Sequence, residues 1–117
     1  DAFFSILEVV TSPILLNDPT TPQGFAYEFL VSVDPAAVDP CTYPTVEQRY
    51  AAVTLYSSTN GQDWNNPTGW LTAANECNWI GVRCNENDLI TGLFLGKYLV
   101  ELLLLLICWL ECNKKLN

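Results

Sequence analysis

Histidine is absent from the 117 residues of this chain. It is the commonest general base, the partner of serine and cysteine nucleophiles, and the commonest zinc ligand. We find no catalytic constellation, no cofactor-binding motif and no metal site, and we expect a protein that is not an enzyme. The closely spaced oxygen side chains of "NENDL" (85–89) lack the twelve-residue loop and final glutamate of an EF-hand, and they predict a β-turn.

Basic side chains are scarce. The chain has 5 lysine and arginine residues against 13 aspartate and glutamate residues, which gives a formal net charge of -8. Nucleic acids and anionic membrane surfaces both attract clustered lysine and arginine. The composition therefore predicts no nucleic-acid partner and no adsorption to an anionic membrane surface. The acidic surplus favours solubility and identifies no partner by itself.

The apolar content is high enough for a packed interior. Hydrophobic residues make up 50% of the chain, which excludes wholesale disorder. A chain of this length forms one domain with a modest core. Two stretches rich in proline and turn-forming residues, "NDPTTPQG" (17–24) and "DPAAVDPCTYP" (34–44), divide that domain into segments.

Residues 1–44 are predicted to form a helical lead-in. A first helix is predicted within "AFFSILEVV" (2–10), although the β-branched residues at its end also suit a strand. Thr21 followed by Pro22 is typical of an N-cap and the first helical position. Asp34, which precedes a proline, is interpreted as the residue that ends this second helix. The apolar face of the second helix is predicted to carry Ala26, Leu30 and Val33, with Phe25 and Phe29 beside them.

Residues 45–88 begin with a third predicted helix. Thr45 opens it, and the spacing of Thr45 and Gln48 fits a capping box, in which the Gln48 side chain binds the backbone N–H of the cap. Gly61 is predicted to end the helix in the left-handed conformation. The apolar stripe is predicted to comprise Val46, Tyr50 and Val53, widened by Ala52 and Tyr56. The loop that follows carries Trp64 and Trp70, whose rings would add a large apolar area to a small core.

Cys77 and Cys84 lie in "NECNWIGVRC" (75–84) and leave three alternatives: a disulfide, a free buried pair or part of a metal site. Structural zinc sites need four ligands, with closer spacing between paired cysteines, and redox pairs typically read C-x-x-C. The spacing favours the disulfide. A structural disulfide indicates an oxidising compartment, that is, a secreted or cell-surface protein or an organelle lumen. The pairing of the other cysteines, Cys41, Cys108 and Cys112, stays open.

The segment 47–96 resembles the N-terminal cap of plant-type extracellular leucine-rich-repeat proteins. The resemblance is carried by "NG-x-x-W", "GW" and, most specifically, "C-x-W-x-G-V-x-C". The preceding residues 18–44 are similar to the extended lead-in of such proteins in single-celled algae. The resemblance implies a cap disulfide between Cys77 and Cys84 and a Trp79 ring that packs over the first repeat. The structural cap residues that it implies are Trp64, Trp70, Trp79 and Gly81.

Residues 89–117 depart from the repeat pattern of that family. Ile90, Leu93 and Leu95 match its strand, but Tyr98 stands at the asparagine position and no Ile-Pro pair follows. The segment is therefore predicted to be a degenerate first repeat. Because one repeat cannot bury its own apolar face, a protein partner or further repeats are expected to cover it. The predicted interaction surface is Leu102, Leu103, Leu104, Leu105, Leu106 and Ile107.

A membrane anchor is the alternative interpretation of residues 89–110. Their 22 residues would extend about 33 Å as a helix, enough to span a bilayer. Lys97 and Glu101 near the middle offset most of the gain from the apolar side chains, so insertion is close to neutral. In this alternative the protein is a small accessory subunit anchored in or docked on a membrane complex.

The sequence as a whole predicts an α+β fold in three parts: a helical lead-in (1–44), a disulfide-locked leucine-rich-repeat cap (45–88) and the start of an α/β solenoid (89–117). The predicted function is non-enzymatic protein–protein interaction, in which the cap shields the solenoid core. The expected location is extracellular, at the cell surface or in an organelle lumen, with membrane anchoring as the alternative.

Overall fold

The structure is a computed structural model that describes residues 1–94. Within this part the chain combines helices with one small sheet, which is an α+β arrangement. The α-helices are α1 (Ala2–Leu7), α2 (Pro13–Leu16), α3 (Pro22–Glu28) and α4 (Val46–Ser58), and a π-helical turn (Phe29–Val33) continues α3. Short 3₁₀ turns lie at Gly61–Asp63 and Glu76–Asn78, and the strands are β1 (Val82–Cys84) and β2 (Ile90–Leu93). Within residues 1–94 no helix has the length and hydrophobicity needed to cross a membrane.

Side-chain caps begin the helices of the lead-in. Asp1 caps α1 by accepting the Phe4 N–H at 2.7 Å. The predicted cap of α3 is confirmed, because Thr21 Oγ1 accepts the Gly24 N–H at 2.9 Å and Pro22 occupies the first turn. Each cap satisfies an amide that has no partner inside its helix.

The apolar face predicted for α3 is partly wrong. Ala26, Phe29 and Leu30 are buried as expected, but Val33 is 63% exposed. The cause is the π-helical turn, in which the Asp34 N–H donates to Phe29 O at 2.7 Å, five residues back. A wider turn rotates the following side chains away from the face that a regular helix would give them.

Helix α4 is the central element, and α3 packs along it. Its apolar stripe is confirmed, since Val46, Tyr50, Ala52 and Val53 are buried. Tyr50 is fully buried, and its hydroxyl shares a 2.7 Å hydrogen bond with Thr11 Oγ1. The surrounding core draws on both ends of the described chain and includes Leu7, Val10, Leu16, Ala26, Phe29, Leu30, Leu55, Trp70, Trp79 and Leu93.

Two sequence-based expectations for the ends of α4 are wrong. Thr45 makes no side-chain capping bond, because its hydroxyl and the Gln48 amide both bind Glu76 instead. Asn60, with a φ of 51°, takes the left-handed conformation predicted for Gly61. Gly61 is needed for a different reason: a Cβ there would lie 2.1 Å from the Tyr56 ring.

The two strands form an antiparallel hairpin. Val82 pairs with Leu93 and Arg83 with Gly92, and a bulge shifts the register between Arg83 and Cys84. Leu93 is buried, whereas Arg83 is exposed, so the hairpin has an inner and an outer face. The predicted β-turn is confirmed by the Asp88 N–H, which donates to Asn85 O at 3.1 Å.

Because Tyr50 is buried, the stability of the fold should fall at alkaline pH. Burial raises the pKa of Tyr50 to about 12, although its hydrogen bonds with Thr11 and Thr54 act in the opposite direction. A group with a raised pKa in the folded state contributes stability below the pKa of the unfolded chain, and this contribution is lost as pH rises toward 12. We therefore expect the free energy of unfolding to fall between about pH 10 and pH 12. Measured by urea denaturation, the free energy of unfolding of Tyr50→Phe should fall less steeply over that pH range than that of the wild type. The same pH dependence in both proteins would contradict the raised pKa of Tyr50.

Candidate functional site

The disulfide between Cys77 and Cys84 is formed. The two Cα atoms are 5.7 Å apart, within the usual range for a disulfide. The bond joins the 3₁₀ turn at Glu76–Asn78 to the end of β1. It therefore fixes the end of β1, next to the turn of the hairpin, to the loop that follows α4.

The four residues that the sequence assigned to the cap lie around this disulfide and the end of α4. Trp70 and Trp79 are buried, with ring centroids 5.1 Å apart, and Trp64 packs edge-on against Trp70 at 4.9 Å. Gly81 has a φ of 80°, a conformation that side-chain-bearing residues rarely adopt, and it precedes β1. The tryptophans thus form a continuous aromatic layer in the core.

A buried polar cluster that the sequence did not predict lies beside this layer. Arg49 on α4 is fully buried, and its Nε and Nη2 donate to the two carboxylate oxygens of Asp34 at 2.7 Å each. Nη2 also donates to Thr72 O at 2.8 Å, and Nη1 to Ala74 O at 3.0 Å. The Arg49 Cζ atom lies 4.9 Å from the centre of the Trp79 ring. One guanidinium therefore ties the lead-in, α4 and the loop before the disulfide together.

Glu76 forms the second half of the cluster. It is fully buried, and its carboxylate accepts hydrogen bonds from Tyr43 at 2.6 Å, Thr45 at 2.5 Å and Gln48 at 3.0 Å. Its Oε2 also lies 3.6 Å from Arg49 Nη1. Because Cys77 follows Glu76 directly, this carboxylate anchors the disulfide to the start of α4.

Gln48 extends the cluster to the hairpin. Its side-chain Nε2 donates to Asp88 O at 2.9 Å, and its Oε1 accepts the Ile90 N–H at 2.8 Å. The carboxamide thus binds two backbone groups on either side of Leu89, as a peptide group of a neighbouring strand would. The predicted capping box is replaced by a contact that sets the position of β2.

Electrostatics in the cluster favours a permanent structural role. Burial by itself lowers the pKa of Arg49, but the hydrogen bonds and charge of Asp34 outweigh it, so that the pKa is raised overall. Burial, and then the hydrogen bond to Glu76, raises the pKa of Tyr43. In the described part of the chain every buried side-chain nitrogen and oxygen has a hydrogen-bond partner. The cluster therefore holds these segments in place.

The hairpin carries the exposed features of this region. Within residues 1–94, β2 pairs with β1 and with no other strand. Leu89 is 48% exposed and Phe94 is 61% exposed, one at each end of β2. A strand edge flanked by exposed apolar side chains is suited to pairing with another chain segment.

Residues suited to metal binding do not gather in the described part of the chain. No group of three or more histidine, cysteine, aspartate and glutamate residues in positions 1–94 could hold a metal ion. The predicted interaction surface, Leu102 to Ile107, and most of the alternative membrane segment lie outside the described residues. Cys41 is exposed and forms no disulfide with another cysteine of residues 1–94, and its candidate partners Cys108 and Cys112 lie outside the described residues.

Comparison with known proteins found no matching family model, no matching curated protein and no matching solved structure.

Replacement of the buried arginine should cost far more than replacement of the exposed one. Arg49→Met leaves Asp34 and Glu76 buried without their cation, and we expect a loss of about 3–5 kcal/mol in the free energy of unfolding. Arg83→Met makes the same change at an exposed site and should cost less than about 1 kcal/mol. Urea denaturation followed by circular dichroism measures both, and equal losses would contradict the central role of Arg49.

The disulfide should stabilise the fold by restricting the unfolded chain. For the short loop that it closes, the chain-entropy relation gives about 2.5 kcal/mol. The double variant Cys77→Ala/Cys84→Ala should therefore melt at a lower temperature than the wild type. Dithiothreitol should lower the melting temperature of the wild type toward that of the variant and leave the variant unchanged. A wild type that is insensitive to the reductant although both thiols become free would contradict this role.

Proposed function

We propose that this chain is a non-enzymatic protein–protein interaction module. Helix α4, the tryptophan layer and the disulfide-locked hairpin form a cap that shields the core of a solenoid. The outer edge of β2 receives a further strand. That strand comes from additional leucine-rich repeats or from a separate protein partner. The single observation that carries the proposal is that β2 pairs with no strand other than β1 within residues 1–94, while Gln48 binds the backbone at its start.

The anchoring matters because binding costs conformational entropy. A loose hairpin would have to be ordered by the partner, which weakens association. Here Gln48 fixes the start of β2, the disulfide fixes the end of β1, and Leu93 of β2 belongs to the same buried core as Trp79. The edge is therefore preorganised, and an added strand would pair with the part of β2 that follows Ile90, whose N–H already binds Gln48.

The resemblance to leucine-rich-repeat caps supports the same proposal from the sequence. The first coil of a solenoid exposes an apolar end, and a terminal unit with one apolar and one polar face shields it. The proposed location is extracellular, at the cell surface or in an organelle lumen. It rests on the disulfide between Cys77 and Cys84, which fits an oxidising compartment.

A comparison of two chain lengths tests the proposal. The full chain and a version ending at Gly96 would be expressed in an oxidising compartment, extracted at alkaline pH and studied by sedimentation velocity. We expect both to remain soluble and the full chain alone to self-associate as its concentration rises, because its apolar segment lacks a cover. Retention of the full chain in the membrane fraction, with a soluble short form, would instead favour the membrane-anchored accessory subunit.

Two substitutions in the full chain localise the association. Leu104→Glu places a charge in the predicted interaction surface and should reduce self-association. Ile14→Glu makes a comparable change at a side chain on α2 that is 81% exposed and should leave the association unchanged. Equal effects of the two substitutions would show that general hydrophobicity, rather than this surface, drives the association.

A further inference from the structure

The outer face of the β1–β2 hairpin carries one organised cationic group. The Arg83 Cζ atom lies 4.5 Å from the centre of the Phe94 ring. Phe94 is held at the backbone, where its N–H donates to Gly81 O at 2.7 Å. The ring extends across Gly92, at which a Cβ would lie 3.2 Å from Phe94 Cε2. The absence of a side chain at Gly92 therefore gives the ring room to support the guanidinium.

Arg83 differs from the charges around it. In residues 1–94 the basic side chains are Arg49 and Arg83, and Arg49 is buried against Asp34 and Glu76. Among these residues no carboxylate forms an ion pair with Arg83. Glu86 and Asp88, in the turn of the same hairpin, are exposed. The outer face thus presents one positive group beside Phe94 and negative groups at the turn.

We propose that this face, centred on Arg83 and Phe94, recognises an acidic side chain on an extended segment of a protein partner. A guanidinium with one face against an aromatic ring keeps its N–H edge available, and that edge matches a carboxylate in geometry and charge. The inference rests on the proposed function, in which the segment pairs with the edge of β2. It adds the chemistry by which the partner is chosen.

The charges also determine the character of the partner sequence. A long acidic run would be repelled by Glu86 and Asp88, since like charges near each other disfavour association. The segment that fits best has one acidic residue above Arg83 and a basic residue toward the turn. This order of charges fixes the direction in which the segment lies along β2.

A displayed library of random peptides tests the inference on the full chain. The library is selected separately against the wild type, Arg83→Gln, Arg83→Glu and Glu86→Gln, each first checked for native circular dichroism. Wild-type selection should enrich peptides with an acidic residue at one position and a basic residue at another. Arg83→Gln should bind these peptides about tenfold more weakly. Arg83→Glu should select basic residues at the formerly acidic position, and Glu86→Gln should keep the acidic preference while weakening the basic one.

The outcomes separate this inference from the proposed function. Peptides that bind the wild type without an acidic position, or that bind Arg83→Gln equally well, overturn the inference and leave strand addition standing. A selection that enriches no peptide for the wild type overturns both. A preference for acidic peptide residues that survives in Arg83→Glu shows that another group binds the acidic residue. This result also overturns the assignment to Arg83.

Discussion

The buried guanidinium of Arg49 is the interaction on which the rest of this structure depends. Removing a charge from water costs several kcal/mol unless its hydrogen bonds are replaced. Asp34 and two backbone carbonyls replace them here, and the Trp79 ring lies against the guanidinium. These partners come from segments that no common helix or sheet connects. Their correct packing is therefore coupled to one fully satisfied polar group, which disfavours alternative arrangements of the same loops.

The same cluster determines how the exposed hairpin is presented. Glu76 binds the start of α4, and Gln48 carries that connection to the backbone of the hairpin. The disulfide adds a covalent connection between Glu76 and the hairpin, because Cys77 directly follows Glu76 and is bonded to Cys84. A small two-stranded sheet is marginal by itself in water. Support by a buried network, a disulfide and an aromatic layer therefore stabilises this short hairpin.

Sequence patterns located most of the helices but not the contacts between them. The cap at Thr21 follows from local chemistry, since the hydroxyl and the amide that it binds lie three residues apart. The stripe around Tyr50 follows from helical periodicity. Asp34 ends the helical segment as the proline after it predicts, but its ion pair with Arg49 could not be predicted, because the two residues are distant in sequence. The π-helical turn that exposes Val33 likewise has no simple sequence signal.

The sequence by itself determined the elements whose causes are local: the capped helices, the turn before β2 and the cysteine spacing that favours a disulfide. Only the tertiary structure decided which polar side chains are buried. Thr45 and Gln48 fit a capping box on spacing alone, yet both bind Glu76. The physical reason is that a buried carboxylate without partners is far more costly than a helix start without a side-chain cap. A competition between a local and a distant partner is settled by burial, and burial exists only once the chain has folded.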